Sequence, residues 1–354
     1  MKRSWGLIGV GDMSYKMAFA LGSRLHAVRS SNEETAQRFA KDFGLPKVYT
    51  SLEKFFLDTD MRIVYLPTPN HTHKDLCLQA LKAGKHVLCE KPLATTVAEV
   101  DEIAKAAKSS NHVVMEGMWS RFLPIYKQIA DICEDGVIGE PQRWEVKLGH
   151  QVPYSDESRF YSKEGGGVLL DLAVYPLAIA NYLFGPQEHV ATRGTTATNG
   201  VDNEAFVTVK NQGGLEGKVD VSFRHGLPEI MTIYGEWGRI DISGPAYRPT
   251  SYRIHRYYSV SSAFEPGKKL GIKAKIQNAP WLHGLKRSLK RMKGRVSESD
   301  EIHVGYKGDG YIHEILAMEN AVEQGGYEVS DWPLSASRNV IEVLEKSRAT
   351  LVKP

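Results

Sequence analysis

The sequence predicts an α/β protein of two unlike parts. Residues 1–119 read as a doubly wound parallel sheet. Residues 120–354 read as an α+β unit with an open, mainly antiparallel sheet. Three observations carry this. Strand-like and helix-like runs alternate through the first third, which argues for βαβ units. A glycine turn separates the first strand from the first helix. Beyond residue 120 the runs become short and alternating, broken by Gly, Asn and Pro. The length of 354 residues fits, since domains run to roughly 100–200 residues. Each part is large enough to bury a core.

Composition excludes several classes. With 42% hydrophobic and 25% charged residues, the chain is neither disordered nor collagen-like. Cys77, Cys89 and Cys133 show no CxxC or Cys/His ligand spacing, so a disulfide framework and a structural zinc are not expected and a reducing compartment fits. The basic start Met1-Lys2-Arg3 runs into Ser4–Gly11, but Asp12 interrupts and no small-residue cleavage site follows. That run reads as a strand, not a signal peptide. The longest apolar stretch, Val168–Gly185, contains Asp171, Pro176 and Asn181. It reads as a buried helix with a functional face rather than a membrane span. A cytoplasmic protein with no membrane partner is expected.

The elements follow in order. Trp5–Val10 reads as a buried strand and Met13–Leu21 as a helix. Between them Gly9-Val10-Gly11-Asp12-Met13-Ser14 approaches the G-x-G-x-x-G fingerprint of a Rossmann dinucleotide site. Gly9 permits the tight turn, and Gly11 lets the backbone approach a pyrophosphate. The helix start at Asp12 and Met13 supplies free N–H groups to that anion. Ser14 stands where the fingerprint has Gly or Ala and is still small enough for close packing. Further strands are read at His26–Arg29, Arg62–Pro67, His86–Glu90 and His112–Gly117. Helices are read at Glu33–Phe43, Lys74–Ala83 and Val97–Lys108. An NAD site carries an acidic residue about twenty positions past the first glycine. Here that position is Arg29, followed by Ser30 and Ser31. A guanidinium with hydroxyls suits a 2′-phosphate, so NADP is favoured over NAD.

Pro67-Thr68-Pro69-Asn70-His71-Thr72-His73 lies at a strand's carboxyl end, where open α/β sheets bind ligands. The two histidines lack a third ligand at a useful spacing, so no metal is expected. The loop reads as bordering ribose and nicotinamide. The next strand ends in Cys89-Glu90-Lys91-Pro92-Leu93, which places a lysine before a proline as a candidate fixed cation.

Taken in order, Gly9-x-Gly11, Thr68-Pro69-Asn70-x-x-His73 and Glu90-Lys91-Pro92 resemble the glucose–fructose oxidoreductase / inositol dehydrogenase family. So does Met115-Glu116-Gly117-Met118-Trp119-Ser120-Arg121-Phe122-Leu123-Pro124, which resembles the crossover between that family's domains. Gly165-Gly166-Gly167, leading into Asp171-x-x-x-Tyr175, resembles its Gly-rich helix start. Gly308-Asp309-Gly310-Tyr311 and Trp332-Pro333-Leu334 match its closing segments. Many inositol-type members have histidine where this chain has Tyr175. The tyrosine resembles the branch of dimeric dihydrodiol dehydrogenases, NADP-dependent xylose dehydrogenases and glucose–fructose oxidoreductase.

That resemblance implies Lys91 and Tyr175 as a catalytic pair with Asp171 beside them. It implies a cofactor site of Gly9, Gly11, Asp12, Met13, Arg29, Ser30, Pro67, Thr68, Asn70, His73, Glu90, Lys91, Trp119 and Arg121. Phe160 and Tyr161 are candidate substrate residues. The substrate would be a sugar, cyclic polyol or dihydrodiol, and the assembly a homodimer or homotetramer. On physical grounds, alcohol oxidation with a nicotinamide needs a proton acceptor and a positive charge near the developing alkoxide. An isolated tyrosine titrates near pH 10, and a nearby ammonium is expected to lower that value. Asp171, four residues before Tyr175, shares its helical face. Two other functions compete: a glycosidase using tightly held NAD, and a non-catalytic NADP sensor. The sensor has no need of Lys91 with Tyr175.

In the second part, strands are read at Gln142–Leu148, His189–Thr196, Ala205–Lys210, Gly217–Phe223, Ile230–Tyr234 and Arg239–Ile242, as antiparallel. Helices are read at Pro124–Glu134, Val168–Leu183 and Tyr311–Gln324. Residues 267–296 hold ten Lys/Arg and no acid, leaving 35 bases against 42 acids elsewhere. Trp281, Leu282, Leu285, Leu289 and Met292 recur beside those charges at helical spacing. This basic segment reads as a solvated helix or loop, or as a clamp for a polyanion or partner. Nucleic acid is not the expected partner.

Overall fold

The computed structural model describes residues 4–257 and 301–351. The basic segment 267–296 lies outside the described residues. Strands and helices alternate as predicted: β1 (Trp5–Ile8), α1 (Asp12–Leu21), β2 (Leu25–Arg29), α2 (Glu33–Phe43), β3 (Lys47–Tyr49), α3 (Leu52–Phe56), β4 (Ile63–Leu66), α4 (His73–Lys82), β5 (His86–Glu90), α5 (Val97–Ser110) and β6 (Val114–Gly117). The six strands are parallel in the order β3-β2-β1-β4-β5-β6. Strand order reverses between β1 and β4, which opens a crevice at their carboxyl ends. The central strands are buried along their length, as helices on both faces require. β3 and α3 were not foreseen, because three and five residues are too short for a periodic signal. Ser51 starts α3 by accepting from the Lys54 amide at 3.3 Å.

The chain continues through α6 (Pro124–Glu134), β7 (Pro141–Gly149), α7 (Val174–Phe184), β8 (Gln187–Thr196), β9 (Asp202–Asn211), β10 (Glu216–Ser222), β11 (Met231–Gly235), β12 (Gly238–Ile242), β13 (Ser251–Arg256), β14 (Glu301–His303), α8 (Tyr311–Gln324) and α9 (Leu334–Ala349). Eight strands form the second sheet, in the order β14-β13-β12-β11-β7-β10-β9-β8. One pairing corrects the antiparallel reading: β7 runs parallel to β10. The long connection through α7 allows this, since parallel neighbours need a crossover. Trp144, Val146 and Leu148 of β7 face the core with Val219 and Val221 of β10, while the intervening Glu145, Lys147 and Asp220 face outward. That alternation leaves one face of the sheet polar.

The apolar run after Val168 is not one regular helix. A π-helical turn over Leu169–Ala173 precedes α7. No helix among the described residues is long and apolar enough to cross a membrane. The last two helices return to the first sheet: α8 packs on α1, and α9 packs on both α5 and α7. Residues 311–351 thus knit the two sheets together.

His86, at the start of β5, has a pKa held down to about 4 by burial, then by the neighbouring His112 and Arg62. Its Nδ1 accepts the Val113 amide at 2.9 Å, so the native ring is neutral. Below the ordinary histidine value of about 6.5 the unfolded chain takes up a proton that the folded chain refuses. Stability is therefore lost as pH falls from that value towards 4. Thermal unfolding across this window should show a shallower loss in His86→Gln than in wild type.

Candidate active site

The turn between β1 and α1 is built for close approach. Gly9 has φ +97°, in the left-handed region that favours glycine. Nothing lies within 4 Å of where a Cβ on Gly11 would stand, so the crevice passes directly over its backbone. The departure at Ser14 now has a reason. This buried hydroxyl donates to the Gly9 carbonyl at 3.1 Å and accepts the Gly11 amide at 3.0 Å, locking the turn from inside. Asp12 and Met13 open α1 at the crevice, their amides in the orphan positions of a helix start. Arg29 ends β2 beside them. Its carbonyl accepts the Gly9 amide at 2.8 Å, and its Nε donates to the Thr50 carbonyl at 3.0 Å. Ser30 turns inward and accepts the Asn32 amide at 3.2 Å. The glycine cradle, the helix start and the tethered guanidinium fit a dinucleotide.

Three residues expected at the cofactor bond protein partners with their side chains. His73 is wholly buried, its ring spanning the Pro92 carbonyl at 2.8 Å and the Thr68 carbonyl at 2.9 Å. It splices the loop after β4 to the loop after β5, and burial pushes its pKa down. Glu90 points back into the sheet and accepts the Tyr65 hydroxyl at 2.5 Å, with burial raising its pKa. Asn70 reaches across to the second part of the chain, where its Nδ2 donates to the Gly165 carbonyl at 2.7 Å. Pro67 and Thr68 remain half-buried at the crevice. The Thr72 hydroxyl lies 2.8 Å from the Thr68 hydroxyl and 2.7 Å from the Pro69 carbonyl. His71 is half-exposed and lies 3.8 Å from Glu164, unlike the buried His73. The described residues do bring His26, Asp58 and Asp60 together, but His26 and Tyr49 already bond Asp58, at 3.1 and 2.8 Å.

Lys91, Asp171 and Tyr175 do meet. Lys91 follows β5 and is joined to Pro92 by a cis peptide. Its Nζ donates to the Asp171 carbonyl at 2.8 Å and to Asp171 Oδ1 at 3.1 Å, and lies 4.6 Å from the centre of the Tyr175 ring. The π turn presents both oxygens of Asp171 to one ammonium; such widened turns recur at functional sites. Burial opposes the charge on Lys91, but Asp171, Tyr175 and Glu90 together hold its pKa above the ordinary value. Asp171 stays below the usual carboxylate range despite its burial, because Lys91, then Arg159, draw it down. Tyr175 corrects a sequence expectation. Lys91 does favour its phenolate, but burial is the larger effect, and Glu90 and Asp171 add to it, so its pKa rises. Trp119 packs on Tyr311 at 4.8 Å between ring centres and favours the Tyr175 phenolate slightly, against the effect of burial.

The remaining expectations divide. Arg121 stacks 3.3 Å from the centre of the Tyr182 ring and faces a separate cavity lined also by Asp331 and Ser335. Its planar group is drawn there by the aromatic face, whereas Trp119 packs on Tyr311. Tyr161 is 3% exposed, with its hydroxyl donating to the Val152 carbonyl at 2.8 Å. Phe160 is half-buried against Phe223. Sequence reasoning missed Tyr247, whose ring lies over Tyr175 at 5.2 Å between centres. It also missed Glu116, which receives Leu93, Trp332 and Ser337, and the pair of Asp202 with Arg348. A charged residue inside an otherwise apolar strand was the available signal for Glu116. Nothing in the sequence brings Asp202 to Arg348.

A doubly wound sheet with a glycine turn between β1 and α1, joined to a second mixed sheet, is the architecture of a two-part dinucleotide-binding protein. Residues 3–118 match the oxidoreductase family with an NAD-binding Rossmann fold, and residues 126–241 match the GFO/IDH/MocA C-terminal domain. The chain belongs to the GFO/IDH/MocA oxidoreductase family and is an enzyme of that kind. It is 31% identical over 264 residues to a trans-1,2-dihydrobenzene-1,2-diol dehydrogenase of Xenopus laevis, covering 72% of this chain and 79% of that one. The Mus musculus protein of the same name is 30% identical over 250 residues, covering 68% and 75%. Among solved structures, a 3-ketoreductase from Actinomadura kijaniata in complex with NADP and TDP-benzene aligns with TM-score 0.80 at 21% identity, over 100% of this chain and 99% of that one. An aldose-aldose oxidoreductase from Caulobacter crescentus, complexed with glycerol, aligns with TM-score 0.79 at 18% identity, over 99% and 97%. These two structures establish the likeness of fold.

Proposed function

We propose that the protein is an NADP-dependent oxidoreductase that interconverts a secondary alcohol and its ketone on a sugar, cyclic polyol or dihydrodiol. The observation that carries this is the ammonium of Lys91, 2.8 Å from the Asp171 carbonyl and 4.6 Å from the Tyr175 ring, at the mouth of the dinucleotide crevice. NADP, when bound, supplies or accepts the hydride. Residues 1–119 hold it and residues 120–354 shape the substrate site. Gly9, Gly11 and the first amides of α1 would receive the pyrophosphate, and Arg29 would receive the 2′-phosphate, with Ser30 bracing the turn beside it. Tyr175 moves the proton at the substrate oxygen, and Lys91 stabilises negative charge there. Asp171 fixes Lys91. A phenol kept protonated by burial is suited to giving its proton to a ketone at neutral pH. The reverse, oxidative direction needs the phenolate and gains rate as pH rises. The names of the Xenopus and mouse relatives favour dihydrodiols for the first trials. The polar face of the eight-stranded sheet offers a contact for a homodimer or homotetramer. Three free cysteines suit a cytoplasmic setting.

The test follows nicotinamide absorbance across trans-dihydrodiols, aldoses, inositols and their ketones, with NADP and with NAD. Turnover with NADP on one of these substrates is expected. Strict preference for NAD, or no turnover with NADPH bound, overturns the reading. Arg29→Ala should weaken NADPH roughly tenfold or more, the range for a hydrogen bond to a charged group. NADH should be nearly unaffected, and equal weakening of both removes the 2′-phosphate assignment.

A further inference from the structure

We infer that Asp202 and Arg348 are positioning residues for the reaction, a buried clamp that shapes the turn delivering Asp171 to Lys91. The inference rests on the reading of Lys91, Asp171 and Tyr175 given above. Asp202 begins β9, and Arg348 lies in the last turn of α9. Arg348 Nε is 3.4 Å from Asp202 Oδ1, and the Asp202 side chain is only 4% exposed.

Both residues act on the segment that leads into the active site. Asp202 Oδ2 accepts the Leu169 amide at 2.7 Å, the first residue of the π turn. Arg348 Nη2 donates to the Gly166 carbonyl at 3.1 Å. Between these two attachments sits Gly167, with φ +105°. A Cβ there would stand 2.3 Å from Asp202 Oδ1. The glycine is required both by its backbone angle and by the closeness of the carboxylate. The Gly167 carbonyl in turn accepts the Asp171 amide at 3.1 Å. A continuous path of bonds therefore runs from Arg348 and Asp202 through Gly166, Gly167 and Leu169 to Asp171. The Asp171 carbonyl and carboxylate then hold the Lys91 ammonium.

A carboxylate this buried is costly unless paired and hydrogen-bonded. A neutral cap could serve a helix start equally well. The charged pair does more: it binds the start of the turn from two elements at once, and so fixes where Asp171 points. If the clamp loosens, Lys91 loses its fixed distance from Tyr175 and its pull on the phenol weakens. The phenol then ionises at higher pH. The other charged or titratable groups that act on Tyr175 are Glu90 at the end of β5, Asp171 on its own segment, Tyr311 on α8 and Tyr247 after β12. Arg159 and His150 act on Asp171. None of these is altered by the variants below.

The experiment compares Asp202→Asn, Arg348→Met and the double variant in the intact protein. It measures thermal unfolding, NADPH affinity by fluorescence, and the pH dependence of kcat for alcohol oxidation. Each single variant should lower kcat at neutral pH about tenfold. The rising limb of the profile should move up by roughly half a pH unit or more. NADPH affinity should stay within about twofold of wild type. The double variant leaves neither charge unpaired, so it should recover much of the lost Tm without recovering the limb. A wild-type limb and rate in the folded single variants overturns the inference. So does a double variant in which rate and limb return together with stability, since that is the signature of a structural role alone. If Asp202→Asn does not fold, Arg348→Lys decides. It keeps the charge but not the fork, so a smaller limb shift is expected and no shift overturns the clamp. Lys91→Met is run beside them. Normal turnover in that variant would sink the underlying site assignment, whatever Asp202 does.

Discussion

Tyr175→Phe and Lys91→Met are each expected to reduce turnover by about 10³-fold or more, with NADPH still binding at nearly wild-type affinity. The size follows from what each change removes. Tyr175→Phe keeps the ring against Tyr247 and deletes only the hydroxyl, which is the proposed proton carrier. General acid–base groups contribute roughly 10²–10⁴-fold, so little rate should survive. Lys91→Met keeps the length of the side chain and removes the charge. It takes away the cation proposed to face the developing alkoxide, and it leaves Asp171 buried without the ammonium 3.1 Å away. The two variants should differ in one respect. Tyr175→Phe should unfold at nearly the wild-type temperature, because the ring stays packed on Tyr247. Lys91→Met should unfold measurably earlier, because a buried carboxylate has lost its partner. Single-turnover absorbance and NADPH fluorescence check both claims. Near-normal turnover in either variant would mean that another group moves the proton. Lost NADPH affinity with intact folding would make the residue a cofactor ligand instead.

How far the sequence could be read depends on the range of each interaction. The β1–α1 turn was legible because its parts are neighbours: Gly9, Gly11 and Ser14 sit within six residues, and the physics of the turn is local. The meeting of Lys91 with Asp171 and Tyr175 spans eighty residues and more, and only the ordered motifs of a family brought them together in advance. Orientation was not legible. His73 and Glu90 lie in the same motifs as Thr68 and Lys91, yet their side chains turn inward to Pro92 and Tyr65. A residue's place at the end of a strand fixes its position, while its neighbours in space fix its direction. The same limit explains Tyr175. Spacing predicts that a lysine lies nearby, and that lysine does favour the phenolate, but burial comes from the whole surrounding shell and outweighs it. Asp202 with Arg348 had no local sign, being separated by most of the second sheet and two helices.

Glu116 gives the largest stability effect expected in the molecule. It sits on β6, 1% exposed, and no cation lies within ion-pair distance among the described residues. Three donors converge on it instead: the Leu93 amide at 2.9 Å, the Trp332 indole at 3.0 Å and the Ser337 hydroxyl at 2.6 Å. Burial pushes its pKa up, and these three bonds pull it back. Leu93 follows Lys91 and Pro92, whereas Trp332 and Ser337 belong to the segment that opens α9. One carboxyl thus ties the catalytic loop to the last helix, which itself packs on α5 and α7. Glu116→Ala strands three buried donors, and at about 1–3 kcal/mol for each unsatisfied group the loss should reach about 4 kcal/mol or more. Glu116→Gln preserves shape and one acceptor, so it should cost clearly less, because only the donors facing the new amide group are lost. Urea unfolding of both variants measures the difference. The pattern expected is a lower midpoint at unchanged slope, larger for Ala than for Gln, with kcat also reduced in the folded Gln variant because the loop bearing Lys91 has lost an anchor. Equal, small effects for Ala and Gln would show that the three donors find other partners. The strut between loop and helix would then have to lie elsewhere, and the Asn70 bond to Gly165 would be the next bridge to cut.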